Sequence, residues 1–309
     1  MHVVIDCDPG HDDAIAILLA LARPEWTVDA ITVVAGNQTL DKTVRNTLRV
    51  LTVAGRTDVP VYAGRPDPGG HQWAVADAVH GESGLDGPVL PEPAVGPQDE
   101  HAVDFLIQHL ETSSEPVGLV PMGPLTNVAD VLTRRPDLAG RIDRIVLMGG
   151  AINEGNVTPS AEFNIWADPE AARIVFRCGA PVTMIGLEVT HHAILPTEDF
   201  ELIRSWGGPV CEMAADILSF FLRYHDLIYR FGGVPVHDAC AVAAMLRPEL
   251  VETRRLHVDV ETTGELTLGR TVVDVWGVTG REPNVDVGFD IDRQGFLDLL
   301  YESLRSYAG

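Results

Sequence analysis

Val3-Val4-Ile5-Asp6-Cys7-Asp8-Pro9-Gly10-His11-Asp12-Asp13-Ala14 runs from an apolar, β-branched stretch straight into four carboxylates within eight residues. The first part reads as a buried strand and the part after Gly10 as the start of a helix, so the acids stand at a strand's carboxyl end. Like charges packed this closely repel one another unless a cation sits among them. A hard divalent ion with oxygen ligands would relieve that cost, and Asp8 and Asp13 are spaced to reach one ion across the Pro9-Gly10 turn. Capping a helix and complementing its dipole needs one or two acids, not four. The spacing is not that of an EF-hand, because Gly10 falls fifth from Asp6 and no Glu stands twelfth.

Working outward, the same strand-then-helix rhythm recurs. Val28–Val34, Val61–Ala63, Val117–Pro121, Ile145–Met148 and Val182–Ile185 read as buried strands. Between them Asp13–Ala22, Leu40–Ala54, His101–Thr112, Leu125–Leu132 and Pro169–Arg177 carry apolar residues at helical spacing, with Gly55 and Gly179 placed as C-terminal caps. Such alternation predicts an α/β fold with a mainly parallel central sheet flanked by helices, an open Rossmann-like core. Ligands of such sheets lie outside the carboxyl ends of the strands.

Two stretches break the rhythm. Residues 67–98 are rich in Gly and Pro, and residues 196–233 read as one or two long helices; both are candidate lids over a site. Toward the end His257–Val260, Leu266–Leu268, Thr271–Val275 and Val285–Val287 read as short antiparallel strands before a helix over Arg293–Leu304. No linker, repeat or low-complexity tract interrupts the chain, which predicts one domain over residues 1–309 with insertions.

Composition narrows the partners. The chain has 309 residues, 46% of them hydrophobic, so a large core is within reach. A net charge of −23 repels phosphate backbones and anionic lipid surfaces, which argues against nucleic acid and membrane as partners. No apolar run reaches the roughly 20 residues needed to span a bilayer, and the first residues lack a signal-peptide pattern, so a cytoplasmic protein is expected. Cys7, Cys178, Cys211 and Cys240 are scattered in apolar or helical contexts and read as buried thiols. Lys42 is the only lysine.

Other polar islands follow the predicted strands. Asn156, Glu162 and Asn164 lie in the loop after Gly149-Gly150 and suit vicinal hydroxyl groups, although Asn in such loops also serves backbone turns. His237-Asp238 opens an apolar helix, where Asp238 could act as a cap alone. Asn37, His80 and the turn from Pro121 to Asn127 complete a set whose shared placement points to one site.

These residues resemble the inosine-uridine preferring nucleoside hydrolases. The stretch Asp6 to Ala14 is similar to the family's DxDPGxDDA signature, and Gly123-Pro124-Leu125-Thr126-Asn127, Glu162-Phe163-Asn164 and His237-Asp238 recur in the family's order. The resemblance implies a tightly held calcium ion, with Asp8, Asp13 and Asp238 as carboxylate ligands and Met122 supplying a backbone carbonyl. It implies Asp12 as the general base on the ion's water, Asn37 near that water, and Asn156, Glu162 and Asn164, together with Asp238, on the ribose. His237 is implied as leaving-group acid, with His80 at a matching histidine position; Tyr229, eight residues before His237, is a candidate either to line the base pocket or simply to pack, and Trp73 and Trp206, in the lids, are candidates to stack on the base. His11 and the run His80-Gly81-Glu82-Ser83-Gly84-Leu85 look most like the pyrimidine-preferring bacterial branch, with His11 either perturbing Asp12 or facing solvent. The partner is then a small ribonucleoside, and the family habit implies a homodimer or homotetramer.

The chemistry suits the residues independently, since cleaving an N-glycosidic bond passes through an oxocarbenium-like cation that needs an activated water and negative groups around the ring. Two other readings stay open. A metal-dependent phosphohydrolase would use Asp6 or Asp8 as nucleophile but wants a lysine against the phosphate. A non-catalytic, calcium-dependent sensor of ribosyl ligands would leave Asp12 without a purpose.

Overall fold

Alternate residues of the first strand feed two separate cores. In the computed structural model, which describes residues 1–69 and 73–309, β1 (His2–Cys7) sends Val3, Ile5 and Cys7 into one apolar cluster and Val4 into another. A strand buried on both faces is what a sheet covered by helices on each side requires. Along the chain follow α1 (His11–Leu21), β2 (Thr27–Val33), α2 (Leu40–Val53), β3 (Val61–Ala63), α3 (Asp77–His80), α4 (Ala102–Thr112), β4 (Val117–Pro121), α5 (Thr126–Arg134) and β5 (Ile142–Met148). The next elements are α6 (Phe163–Ala167), α7 (Pro169–Phe176), β6 (Val182–Ile185), α8 (Leu187–Thr190), β7 (Ile194–Pro196), α9 (Glu198–Ser205), α10 (Pro209–Ile228), β8 (Gly233–Pro235) and α11 (His237–Leu246). The chain closes with β9 (Val251–Leu256), β10 (Val258–Val260), β11 (Thr271–Val273), β12 (Val285–Ile291) and α12 (Arg293–Arg305).

Eight strands form the main sheet in the order β3-β2-β1-β4-β5-β6-β12-β9, every neighbouring pair parallel except β12 with β9. The order runs outward in both directions from β1 and β4, so the crossovers reverse there. That reversal opens a crevice beyond the carboxyl ends of the two strands. All eleven residues of α1 are buried, because α11, α10, α12 and α2 enclose the helix on the sheet, and this explains why it is apolar beyond a single stripe. Gly55 and Gly179 have φ of 66° and 87°, the left-handed caps expected of them.

The end of the chain departs from its sequence reading. Val285–Val287 belongs to a longer strand lying parallel to β6 in the main sheet, not to a small antiparallel addition. Leu266–Leu268 forms a turn, closed by Leu268 N–H on the Gly264 carbonyl. β9 went unread because four of its six residues, Glu252 to Arg255, are exposed and polar, as suits an edge strand. The small antiparallel ribbons are β7 with β8 and β10 with β11. Cys7, Cys211 and Cys240 are buried as expected, Cys178 is half-buried, and all four thiols are free. Residues 70–72, within the first candidate lid, lie outside the described residues. Among the described residues no helix is long and apolar enough to cross a membrane.

Candidate active site

Asp8 leaves β1 at the reversal point and is fully buried. Its Oδ2 accepts the Asn37 backbone N–H at 2.6 Å, while Oδ1 has no hydrogen-bond partner among the described residues. Two glycines leave room for it. A Cβ at Gly36 would stand 2.1 Å from Oδ2 and one at Gly123 would stand 2.3 Å from Oδ1, so neither loop could carry a side chain here.

The N-termini of α1 and α11 meet beside it. Asp12 and Asp13 lie in the first turn of α1 and Asp238 in the first turn of α11, and oxygens of these three buried carboxylates lie within 4.8 Å of one another. Asp8 stands outside that mutual grouping and Asp12 stands within it. Asp13 also caps its helix, accepting the Gly10 N–H at 2.9 Å and the Asp8 N–H at 3.3 Å, so the capping role and the site role coincide in one side chain. Burial, and then repulsion from Asp13, pushes Asp8 and Asp12 well above the ordinary carboxylate range. Asp238 rises for the same first reason, with Asp12 as its chief repulsive neighbour. Asp13 is pushed up to about 6 by burial, held back by the amides it caps. Charges this buried and this close call for a cation. An all-oxygen donor set with one orphaned carboxylate oxygen, Asp8 Oδ1, fits a hard divalent ion.

Around this acidic floor lies a cavity of about 300 Å³, lined among others by Asp12, Asn37, His80, Met122, Asn156, Glu162, Asn164, Tyr229, His237 and Asp238. Asn37 bridges two acids, its Nδ2 donating to Asp13 Oδ2 and to the Asp8 carbonyl, both at 3.2 Å. Glu162 caps α6, accepting N–H groups of Asn164, Ile165 and Gly150, and burial pushes it up to about 7. Asn164 Nδ2 donates to the Met122 carbonyl at 2.9 Å and the Met148 carbonyl at 3.2 Å. Asn156 Oδ1 accepts the Phe163 N–H, which ties the loop to α6.

The opposite wall is imidazole and aromatic. His80, at the end of α3, and His237, at the start of α11, are buried, and burial lowers the proton affinity of both well below the usual imidazole range. His237 Nδ1 meets the Thr190 hydroxyl at 2.7 Å. Tyr229 stacks on Phe231 with ring centroids 5.0 Å apart. His11 does not face solvent. It is fully buried and stacks on His80, Phe220 and Phe221.

Asp6 and Lys42 are turned away from this cavity. Asp6 Oδ1 accepts Thr32 Oγ1 at 2.6 Å and Asn127 Nδ2 at 2.8 Å inside the protein, and Lys42 Nζ is spent on the Glu82 carbonyl at 2.5 Å. Neither lines the cavity.

Known proteins are similar to this chain along its length. The family model described as inosine-uridine preferring nucleoside hydrolase matches residues 3–298. The chain belongs to that family. It is therefore a hydrolase acting on N-glycosyl compounds, of a metal-dependent family. A protein from Escherichia coli strain E24377A, named pyrimidine-specific ribonucleoside hydrolase RihA, is 55% identical over 309 residues, covering 100% of this chain and 99% of its own. One of the same name from Escherichia fergusonii is also 55% identical over the same span. Among solved structures, a purine-preferring ribonucleoside hydrolase from Gardnerella vaginalis superposes with a TM-score of 0.94 at 34% identity, covering 100% of this chain and 99% of that one.

This nucleoside hydrolase also lines its cavity with residues that sequence reasoning passed over. Phe221, Tyr224 and His225 project from α10, Trp166 and Phe163 from α6, and Ala74, Val75, Ala76 and Val79 from the region before and within α3. Phe221 and His225 are four apart on one helix face, a spacing that reads equally well as plain core. Trp206 is not at the cavity; it packs edge-on against Tyr301 with ring centroids 6.0 Å apart. Trp73 does not line the cavity either.

Proposed function

We propose that the protein is a calcium-dependent ribonucleoside hydrolase with a preference for pyrimidine nucleosides, releasing free base and ribose for salvage. The observation that carries this reading is that Asp12 and Asp238, two members of a buried carboxylate cluster whose third is Asp13, line one cavity with Asn156, Glu162 and Asn164. Asp8, Asp13, Asp238 and the Met122 carbonyl would hold calcium, which when bound neutralises the cluster and supplies Lewis acidity toward water and the ribose hydroxyls.

The chain's own groups do the rest. Asn156, Glu162 and Asn164 grip the ribose and place negative potential around the ring, where positive charge develops as the C1′–N bond breaks. Asp12, the most exposed of the clustered carboxylates at 7%, takes a proton from the water that attacks C1′. The electron pair of the broken bond leaves with the base. His237 faces that base as proton donor, and the negative charge growing there raises the proton affinity that burial lowers. His80 and Tyr229 line the same side, and segments 67–98 and 196–233 act as lids of a single catalytic domain.

The lean to pyrimidines rests on the relatives that are 55% identical and named pyrimidine-specific, against a purine-preferring neighbour at 34%. A cytoplasmic setting and a homodimeric or homotetrameric state rest on the family resemblance. The test is release of reducing sugar from inosine, adenosine, guanosine, uridine and cytidine, before and after prolonged chelation and with calcium restored. Uridine and cytidine should be cleaved fastest, and only with calcium present. Turnover unaffected by complete metal removal, or faster on the purines, overturns the corresponding part of the reading.

A further inference from the structure

Asp168 stands where α6 ends and α7 begins, buried, and it does not line the cavity. Its oxygens nevertheless gather three separate segments. Oδ1 accepts the Ala171 N–H at 3.0 Å and so caps α7, while Oδ2 accepts the Thr126 hydroxyl at 2.8 Å, at the start of α5, and the Gly69 N–H at 2.9 Å. A helix cap needs only the first of these bonds. The other two are explained by what they hold together.

Arg65 is fastened to α5 by its N–H on Asn127 Oδ1 at 3.0 Å and by its guanidinium on Asp130 at 2.8 Å. Pro66 and Pro68 follow, each with a fixed φ and no N–H to give, so the run to Gly69 is stiff. After Gly69, the next main-chain hydrogen bond among the described residues is the Ala76 N–H on the Asn37 carbonyl, at 2.9 Å. Ala74, Val75 and Ala76, and then Val79 and His80 on α3, line the cavity beyond the Gly69 tie. We infer that Asp168 is a positioning residue for substrate binding: through the Gly69 N–H it sets where residues 74–80 lie over the cavity, without touching the substrate itself. The inference rests on the nucleoside hydrolase reading for the identity of the ligand those residues cover, not for the tie. It also gives the cavity wall two moorings of different kinds, one on the acidic floor through Asn37 and one on a carboxylate outside the site.

Kinetics on uridine and amide exchange of the calcium-loaded protein test the bond from both of its ends. Asp168→Ser keeps a capping oxygen for α7 but cannot reach Gly69, and Gly69→Pro removes the N–H from the other side. Each should raise KM about tenfold, the scale of one hydrogen bond to a carboxylate, with kcat and calcium affinity by calorimetry changed less than about threefold. The double variant should rise no further than the larger single one, because both substitutions remove the same bond. In glycine-labelled wild type the Gly69 amide, identified by its loss in Gly69→Pro, should exchange at least about tenfold more slowly than in Asp168→Ser. An unmoved KM in both single variants, a multiplicative rise in the double variant, or a Gly69 amide that exchanges as freely in the wild type as in Asp168→Ser overturns the inference. A fall in kcat or calcium affinity with KM unmoved overturns it too, since Asp168 would then act on the acidic floor. Where Asp168→Ser fails to fold, Gly69→Pro and the wild-type exchange decide: an unmoved KM in the first or an unprotected amide in the second overturns the inference. Absence of any nucleoside hydrolysis by the wild type overturns the function instead, while intact hydrolysis with a KM indifferent to these variants overturns this inference alone.

Discussion

The cavity has two unlike walls. The acidic floor is set by backbone: Asp13 is held by two amides, Asp8 by one, and Asp12, Asp13 and Asp238 ride on the first turns of two buried, mutually packed helices. The imidazole wall is set by side chains stacked on side chains, with His11, His80, Phe221, His225 and Tyr229 in ring contact in succession. Backbone anchoring resists sequence change and ring packing follows it. The difference teaches which half of the site is fixed and which is adjustable: on the proposed reading, the groups for ribose and cation lie on the rigid side and those for the base on the other.

Asp12→Ala is the sharpest way to break the comparison. Removing the base should lower kcat for uridine by about 10² to 10⁴, with calcium affinity by calorimetry changed only a few-fold. Equal losses of calcium binding and turnover would make Asp12 a ligand rather than a base. A second effect lies on the imidazole wall, where burial holds His225 down to about 4. Its folded value is below the ordinary 6.5, so the unfolded chain binds the extra proton first and stability drains away as pH falls from about 6.5 to 4. The full shift corresponds to at most about 3 kcal/mol. Denaturant titrations of calcium-loaded protein across that range should show a shallower loss in His225→Leu than in the wild type, and parallel curves would remove His225 from the account. The smallest effect is expected at Tyr229, which is half-buried at the rim and held by stacking; Tyr229→Phe should change kcat/KM for uridine less than about threefold, since only a hydroxyl is lost.

The same contrast explains what was legible in the sequence. The strands from β1 to β6 were readable because strands buried on both faces are written as unbroken β-branched runs, and the acidic floor was readable because four acids beside a turn have few other uses. The imidazole wall was only half readable. His80 and His237 stood out, but His225, Phe221 and Trp166 sit on helices at spacings that core packing also uses. Of the two readings of His11, perturbing Asp12 or facing solvent, the second fails, because its partners, the Asp86 carbonyl and His80, arrive from a distant segment whose approach no local pattern encodes. β9 hid for the opposite reason: its side chains describe solvent, and only the neighbouring β12 makes it a strand.

Asp13 and Asp238 come from opposite ends of the chain, and the helix carrying Asp238 is followed by β12, which completes the parallel part of the sheet. During synthesis, therefore, the acids after β1 emerge long before the residue that closes their cluster. A nascent chain lacking its last quarter carries Asp8, Asp12 and Asp13 without Asp238. The carboxylate cluster is thus complete only once the chain has passed Asp238, so the proposed cation site is a property of the closed domain and not of the segment that is made first.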